Sequence, residues 1–204
     1  MARLSPTCWI PAAFCGALLL AAITLPVTGP SEHGISAALR LTGRWSFLWF
    51  WLAFSVGAMA TLFGAAFRTL ASQGREFGLS YAAAQAVHVA LLVWLYSTAA
   101  KPPVPSSVLV FFGVGVFWTY LLAALSFRAV ADTFDPRVVR VLRTVGVYYI
   151  GFAFFKDLAR NPLNGGWLDL LLYLPFTALI GVALVLRLAA MLRRQLPIHR
   201  AYAR

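Results

Sequence analysis

The chain has 204 residues, of which 61% are hydrophobic and only 11% charged, with a mean hydropathy of +0.80. A soluble domain carries about 25% charged residues, so a water-facing surface cannot be built from this composition and the bilayer must be the solvent. A net charge of +11 would suggest nucleic acid in a soluble protein. Here the basic residues sit mainly between apolar runs without aromatic interleaving, and they read as topogenic charge and contacts to anionic head groups, with no nucleic-acid partner.

The apolar runs are long and continuous rather than alternating, which selects helices over a barrel. The expected fold is an all-α membrane protein: one transmembrane domain over residues 1–204, a bundle of about six helices, with no stretch outside the membrane long enough to bury its own core. The first helix covers about 8–27, after a short start carrying Arg3. Its apolar core of some 20 residues exceeds the roughly 7–15 of a signal peptide, and Pro30 after Thr28-Gly29 makes a poor cleavage site, so it reads as a retained helix. Cys8 and Cys15, seven apart on that run, read as small buried residues rather than a redox pair; no zinc-type spacing exists. A polar stretch from Gly29 to Arg44 follows, in which Ile35–Leu41 suggests a short interfacial helix.

The second helix, about 45–70, opens with Trp45, Trp49 and Trp51, suited to the head-group boundary. Its Ser55, Gly57, Thr61, Gly64 and Ala65 suggest close helix approach. The third covers about 77–100 and stops at Lys101-Pro102-Pro103-Val104-Pro105; the fourth covers about 107–130. The fifth, about 141–155, ends at Lys156–Pro162, and the sixth, about 167–192, contains Pro175 as an expected kink before a basic tail. Six crossings sort the 17 Lys and Arg residues 12 against 5, the smaller set being Arg40, Arg44, Lys101, Lys156 and Arg160. The positive-inside rule then puts both termini in the cytoplasm.

Of the three histidines, His33 lies in a polar loop and His199 in the basic tail, where both read as solvated residues. His88 differs, lying about eleven residues, or roughly 16 Å, into the third run. An ionisable side chain at that depth is a functional candidate, and a neutral imidazole needs partners for both nitrogens or a metal for one. Two readings stand side by side: a hydrogen-bonded packing histidine, and a ligand or relay. Lys156, Asp157 and Arg160, like Asp132 and Asp135, read as interfacial pairs at helix ends, and Asp169 as interfacial. No nucleotide-binding glycine pattern, catalytic triad or mid-membrane carboxylate relay is present, so no catalytic residue is assigned.

The stretch Arg75-Glu76-Phe77-Gly78-Leu79-Ser80-Tyr81, with His88 ten residues after Gly78, resembles the Arg-x-x-Gly-Leu…His signature of ferric-reductase-like transmembrane domains. Thr42-Gly43-Arg44-Trp45 resembles the bacterial branch, which includes the haem-bearing membrane partner of periplasmic methionine sulfoxide reductase. The resemblance implies b-type haem between helices, electron transport across the membrane as an oxidoreductase subunit, a soluble or membrane redox partner chain, and His88 as an axial ligand to haem iron. The chain departs from that pattern in the fifth helix, because no histidine occurs between His88 and His199. Tyr148 and Tyr149 lie near the expected depth, Tyr149 being the weaker candidate ligand beside His88; Met59 is a thioether on another helix. The alternative to haem is a membrane assembly or binding subunit that keeps the fold without the cofactor.

Overall fold

A computed structural model describes residues 8–159 and 166–195, with side chains described at 8–158 and 172–194. Arg3, Arg160, His199 and the side chain of Asp169 fall outside these residues. Eight helices and no strands occur among the described residues: α1 (Trp9–Thr28), α2 (Glu32–Phe63), α3 (Ala65–Ala71), α4 (Gly74–Thr98), α5 (Ser106–Ala124), α6 (Arg128–Ala131), α7 (Pro136–Ala159) and α8 (Gly166–Gln195). Six of them (α1, α2, α4, α5, α7 and α8) are long and apolar enough to cross a membrane.

α2 is the organising element, packing against α1, α4 and α8, while α5 pairs with α7 and α7 with α8. At 32 residues it is about 48 Å long, well beyond a hydrocarbon core of about 30 Å. The Ser31 hydroxyl accepts from the Gly34 N–H to start it, with Glu32 in the positive first turn. The expected interfacial helix at 35–41 is therefore the first part of this span. At the other end Gly64 takes φ +72°, open to glycine without strain, and the chain bends into α3. The single helix expected over 45–70 is thus two, broken at Gly64.

α1 buries Ala13, Ala17 and Ala21, one stripe at four-residue spacing. Against it the Trp45 indole covers Gly16, where an added Cβ would stand 2.7 Å from the ring, and its Nε1 donates to the Ala13 carbonyl at 2.8 Å. Trp9 Nε1 donates to Gln73 Oε1 at 2.9 Å, tying α1 to the turn before α4. The α2–α4 seam is aromatic, with Phe50 against Tyr81 at 5.4 Å and Trp49 against Phe77 at 6.3 Å between ring centroids. α8 is fixed by Trp51 Nε1 donating to the Leu179 carbonyl at 2.7 Å. At its far end Arg193 donates to the Thr61 and Leu62 carbonyls, and Arg194 to the Thr61 hydroxyl, satisfying acceptors in the last turn of α2.

Two packing expectations are corrected. Cys8 and Cys15 are exposed rather than buried; Cys15 is two residues from both Ala13 and Ala17, about 200° around the helix from the buried stripe. Gly57 is exposed, and a Cβ at Gly57 or Gly64 would meet nothing within 4 Å, so these two glycines are not where helices meet, whereas Ser55 of the same run is fully buried and Thr61 receives Arg193 and Arg194 of α8. Close approach occurs instead beneath large side chains, at Gly16, Gly43 and Gly146.

Candidate functional site

His88 lies in α4 opposite the early part of α2. Its Nδ1 is 3.2 Å from the hydroxyl of Thr42, a residue with no exposed surface. The Thr42 hydroxyl has one hydrogen, and two carbonyls compete for it: Ala38 at 2.9 Å and Leu39 at 3.3 Å. The oxygen is therefore the acceptor towards the ring, so a neutral imidazole here carries its hydrogen on Nδ1 and its lone pair on Nε2. Leu39 supplies a further backbone acceptor beside the ring. Gly43 leaves room for this contact, since a Cβ there would stand 3.2 Å from His88 Cε1 and 3.5 Å from Nδ1.

The ring borders a half-open cavity of about 790 Å³ lined from α2, α4, α5 and α7, with Tyr173 of α8 at its edge. That volume falls within the roughly 300–1,000 Å³ of small-molecule and cofactor sites. The wall facing α4 is apolar, with Phe111, Phe112, Val116, Ile150 and Phe154. Tyr81, also lining the cavity, donates to Thr119 Oγ1 at 3.0 Å, because the Thr119 hydrogen is used on the Gly115 carbonyl at 2.9 Å. This bond ties α4 to α5.

Cations border the same cavity: Arg40, Arg44 and Lys156, alongside the Asp157 carboxylate. The Arg44 guanidinium lies 4.8 Å from the Tyr173 ring centroid and 5.6 Å from that of Phe176, and Lys156 Nζ lies 4.9 Å from that of Phe111. Two polar atoms of the lining, Arg44 Nη2 and Gln85 Oε1, are buried without a hydrogen-bond partner among the described residues. Unsatisfied buried polar atoms are costly, and both belong to residues of the lining although the atoms themselves are enclosed.

The other sequence candidates stand apart. His33 is exposed in the first turn of α2. Tyr149 is not part of the cavity lining; its hydroxyl donates to the Phe111 carbonyl at 2.9 Å. Tyr148 faces the opposite side of α7, against Phe54. Met59 lies in the later half of α2, outside the lining, and no group of three or more His, Cys, Asp and Glu suited to a metal ion occurs among the described residues. Sequence reasoning passed over Thr42 and Gly43 as chemistry, although both stand in the quoted Thr-Gly-Arg-Trp motif.

Fold and composition define a multi-pass helical membrane protein. Comparison with models of known families, with curated proteins and with solved structures gives no match. The ferric-reductase-like resemblance therefore rests on the motifs quoted above.

Proposed function

We propose that this protein is a ferric-reductase-like membrane electron-transfer protein that holds one b-type haem in the cavity beside His88, within an inner (plasma) membrane and with both termini cytoplasmic. The observation that carries the reading is the void of about 790 Å³ bordered by an imidazole anchored through Nδ1. Such a group would supply one-electron redox chemistry at a depth where no amino-acid side chain of this chain can.

His88 offers Nε2 as a ligand, while Thr42 Oγ1 accepts the Nδ1 hydrogen and fixes ring orientation, the usual second-shell arrangement of a metal-binding histidine. Arg40, Arg44 and Lys156 suit carboxylate groups at the cavity edge, and the aromatic and branched side chains of α5 and α7 would pack against an apolar macrocycle. No second imidazole faces His88, so the chain fits a haem with one protein ligand and does not fit a bis-histidine haem within itself. That departure favours one second reading, a haem-less assembly subunit with the same fold. The orientation rests on the 12-to-5 division of basic residues, and Arg40, Arg44 and Lys156 meeting at one cavity agrees with their assignment to one side.

The test is an absorption spectrum of protein purified from haem-sufficient cells. The expected result is a Soret band that shifts on dithionite reduction, is lost in His88→Ala, and is kept in His33→Ala and His199→Ala. A haem-free preparation overturns the reading.

A further inference from the structure

On the other face of α7, away from His88, a second void of about 310 Å³ runs between α2, α7 and α8 and is lined by Phe47, Trp51, Phe152, Ile180 and Leu184 among others, all of its lining side chains apolar or aromatic. Along α8 the lining residues Ile180, Ala183 and Leu184 form one stripe, and Arg187 is the next position on it, one turn beyond Leu184. The Arg187 guanidinium lies 4.1 Å from the Phe54 ring centroid and 5.0 Å from that of Tyr148, and both rings also line the void. The groove therefore ends at a cation.

Among the described residues this cation has no counter-ion. Arg187 Nη1 is buried without a hydrogen-bond partner, and the ion pair found among the described residues, Arg75 with Glu76, lies elsewhere. Two turns further along the same face stands Arg194, held by Thr61 at the end of α2. A guanidinium within a span is expensive and snorkels towards the boundary unless an anion meets it. An anion at the boundary with an apolar tail beside it is the chemistry of a phospholipid.

We propose that the α2–α7–α8 groove is a binding site for one anionic glycerophospholipid, its phosphodiester on Arg187 and Arg194 and an acyl chain along the apolar void. Charge complementarity selects an anionic head group, and the continuous apolar groove selects a lipid over free phosphate. The site is independent of any occupant of the His88 cavity.

The test uses the full chain purified in detergent, delipidated, and reconstituted separately with phosphatidylglycerol, phosphatidylcholine or inorganic phosphate. Bound phospholipid is measured by mass spectrometry and thermal stability by Tm. Expected are about one retained phosphatidylglycerol per chain and a Tm rise with phosphatidylglycerol alone. Arg187→Gln should lower retention by about tenfold or more, the loss of one charge-assisted hydrogen bond. Gly151→Leu provides the second variant: Gly151 lines the groove and a Cβ there meets Phe50 and Phe54 at ordinary contact distances of 3.7–3.9 Å, so a larger side chain would take up groove volume while leaving Arg187 in place. It should lose retention while keeping the fold. Equal retention of phosphatidylcholine, an equal Tm rise with inorganic phosphate, or undiminished retention in both variants overturns the proposal.

Discussion

Thr42→Val removes a hydroxyl while nearly preserving shape, and the structure sets what that costs. Thr42 has no exposed surface, and its oxygen accepts from His88 Nδ1 at 3.2 Å while donating to the Ala38 carbonyl at 2.9 Å. The Ala38 carbonyl belongs to a helix and loses only an auxiliary bond, so the penalty falls on the imidazole, whose N–H is left without its side-chain acceptor. An unsatisfied buried donor costs about 1–3 kcal/mol, whereas interhelical hydrogen bonds in membrane proteins average about 0.6 and reach about 1.7 kcal/mol in double-mutant cycles. The Leu39 carbonyl near the ring takes part of the load, which places the expected coupling near 1 kcal/mol. The assay is a cycle of wild type, Thr42→Val, His88→Leu and the double variant, followed by reversible unfolding in detergent. Thr42→Val should cost about 1 kcal/mol beside His88 and a few tenths beside Leu. His88→Leu alone should change the stability of the cofactor-free protein by no more than about 1 kcal/mol, because leucine fills similar space and the side-chain bond lost is the one to Thr42. A cost for Thr42→Val that is the same in both backgrounds would refute the assignment of Thr42 as acceptor. A large loss of stability in His88→Leu would return His88 to a packing role.

The glycines supply further predictions, all read as changes in Tm. Gly43→Val should destabilise by about 1–3 kcal/mol, since its Cβ would press on the His88 ring at 3.2 Å. Gly57→Ala, with nothing within 4 Å, should stabilise by about 0.5–1 kcal/mol through helix propensity alone; similar effects at the two sites would contradict the packing described. Gly146→Ala should destabilise by about 1–3 kcal/mol, because its Cβ would fall 2.6 Å from the Trp118 ring in the α5–α7 seam. A neutral result there would mean that α5 and α7 do not meet at this residue.

All six spans were legible in the sequence, because a bilayer imposes continuous apolarity on whatever crosses it and the chain obeys. The bounds of α2 were not, and the reason is physical. Hydropathy averages around a helix, so Arg40 and Arg44 made residues 29–44 look like a connection. On the helix itself Arg40 is exposed, while Ile35, Ala38, Thr42 and Ser46 are fully buried along the inner face. In a membrane bundle the lipid-facing side carries the apolar bulk and small or hydroxyl residues pack inside, which inverts the pattern that marks a soluble helix. His88 was legible as a depth anomaly, but its partner is 46 residues away and is set by the antiparallel register of α2 and α4, which no local pattern encodes.

That register also bears on the missing second histidine. The α7 residues that line the cavity, beginning with Ile150, Ala153 and Phe154, carry no donor at membrane depth; Lys156 and Asp157 join them only where the helix nears its end. An imidazole kept solely for packing needs a partner for each nitrogen, and here one nitrogen is tied to Thr42 while the ring borders a void edged by three cations. Leucine at position 88 would fill similar space without a polar atom, whereas histidine would give the proposed haem a ligand atom. Two orphaned polar atoms of residues in the same lining, Arg44 Nη2 and Gln85 Oε1, are enclosed. Under the proposed reading the imidazole and the three cations at the edge, which border one volume, would hold the occupant, and the two enclosed orphan atoms would not.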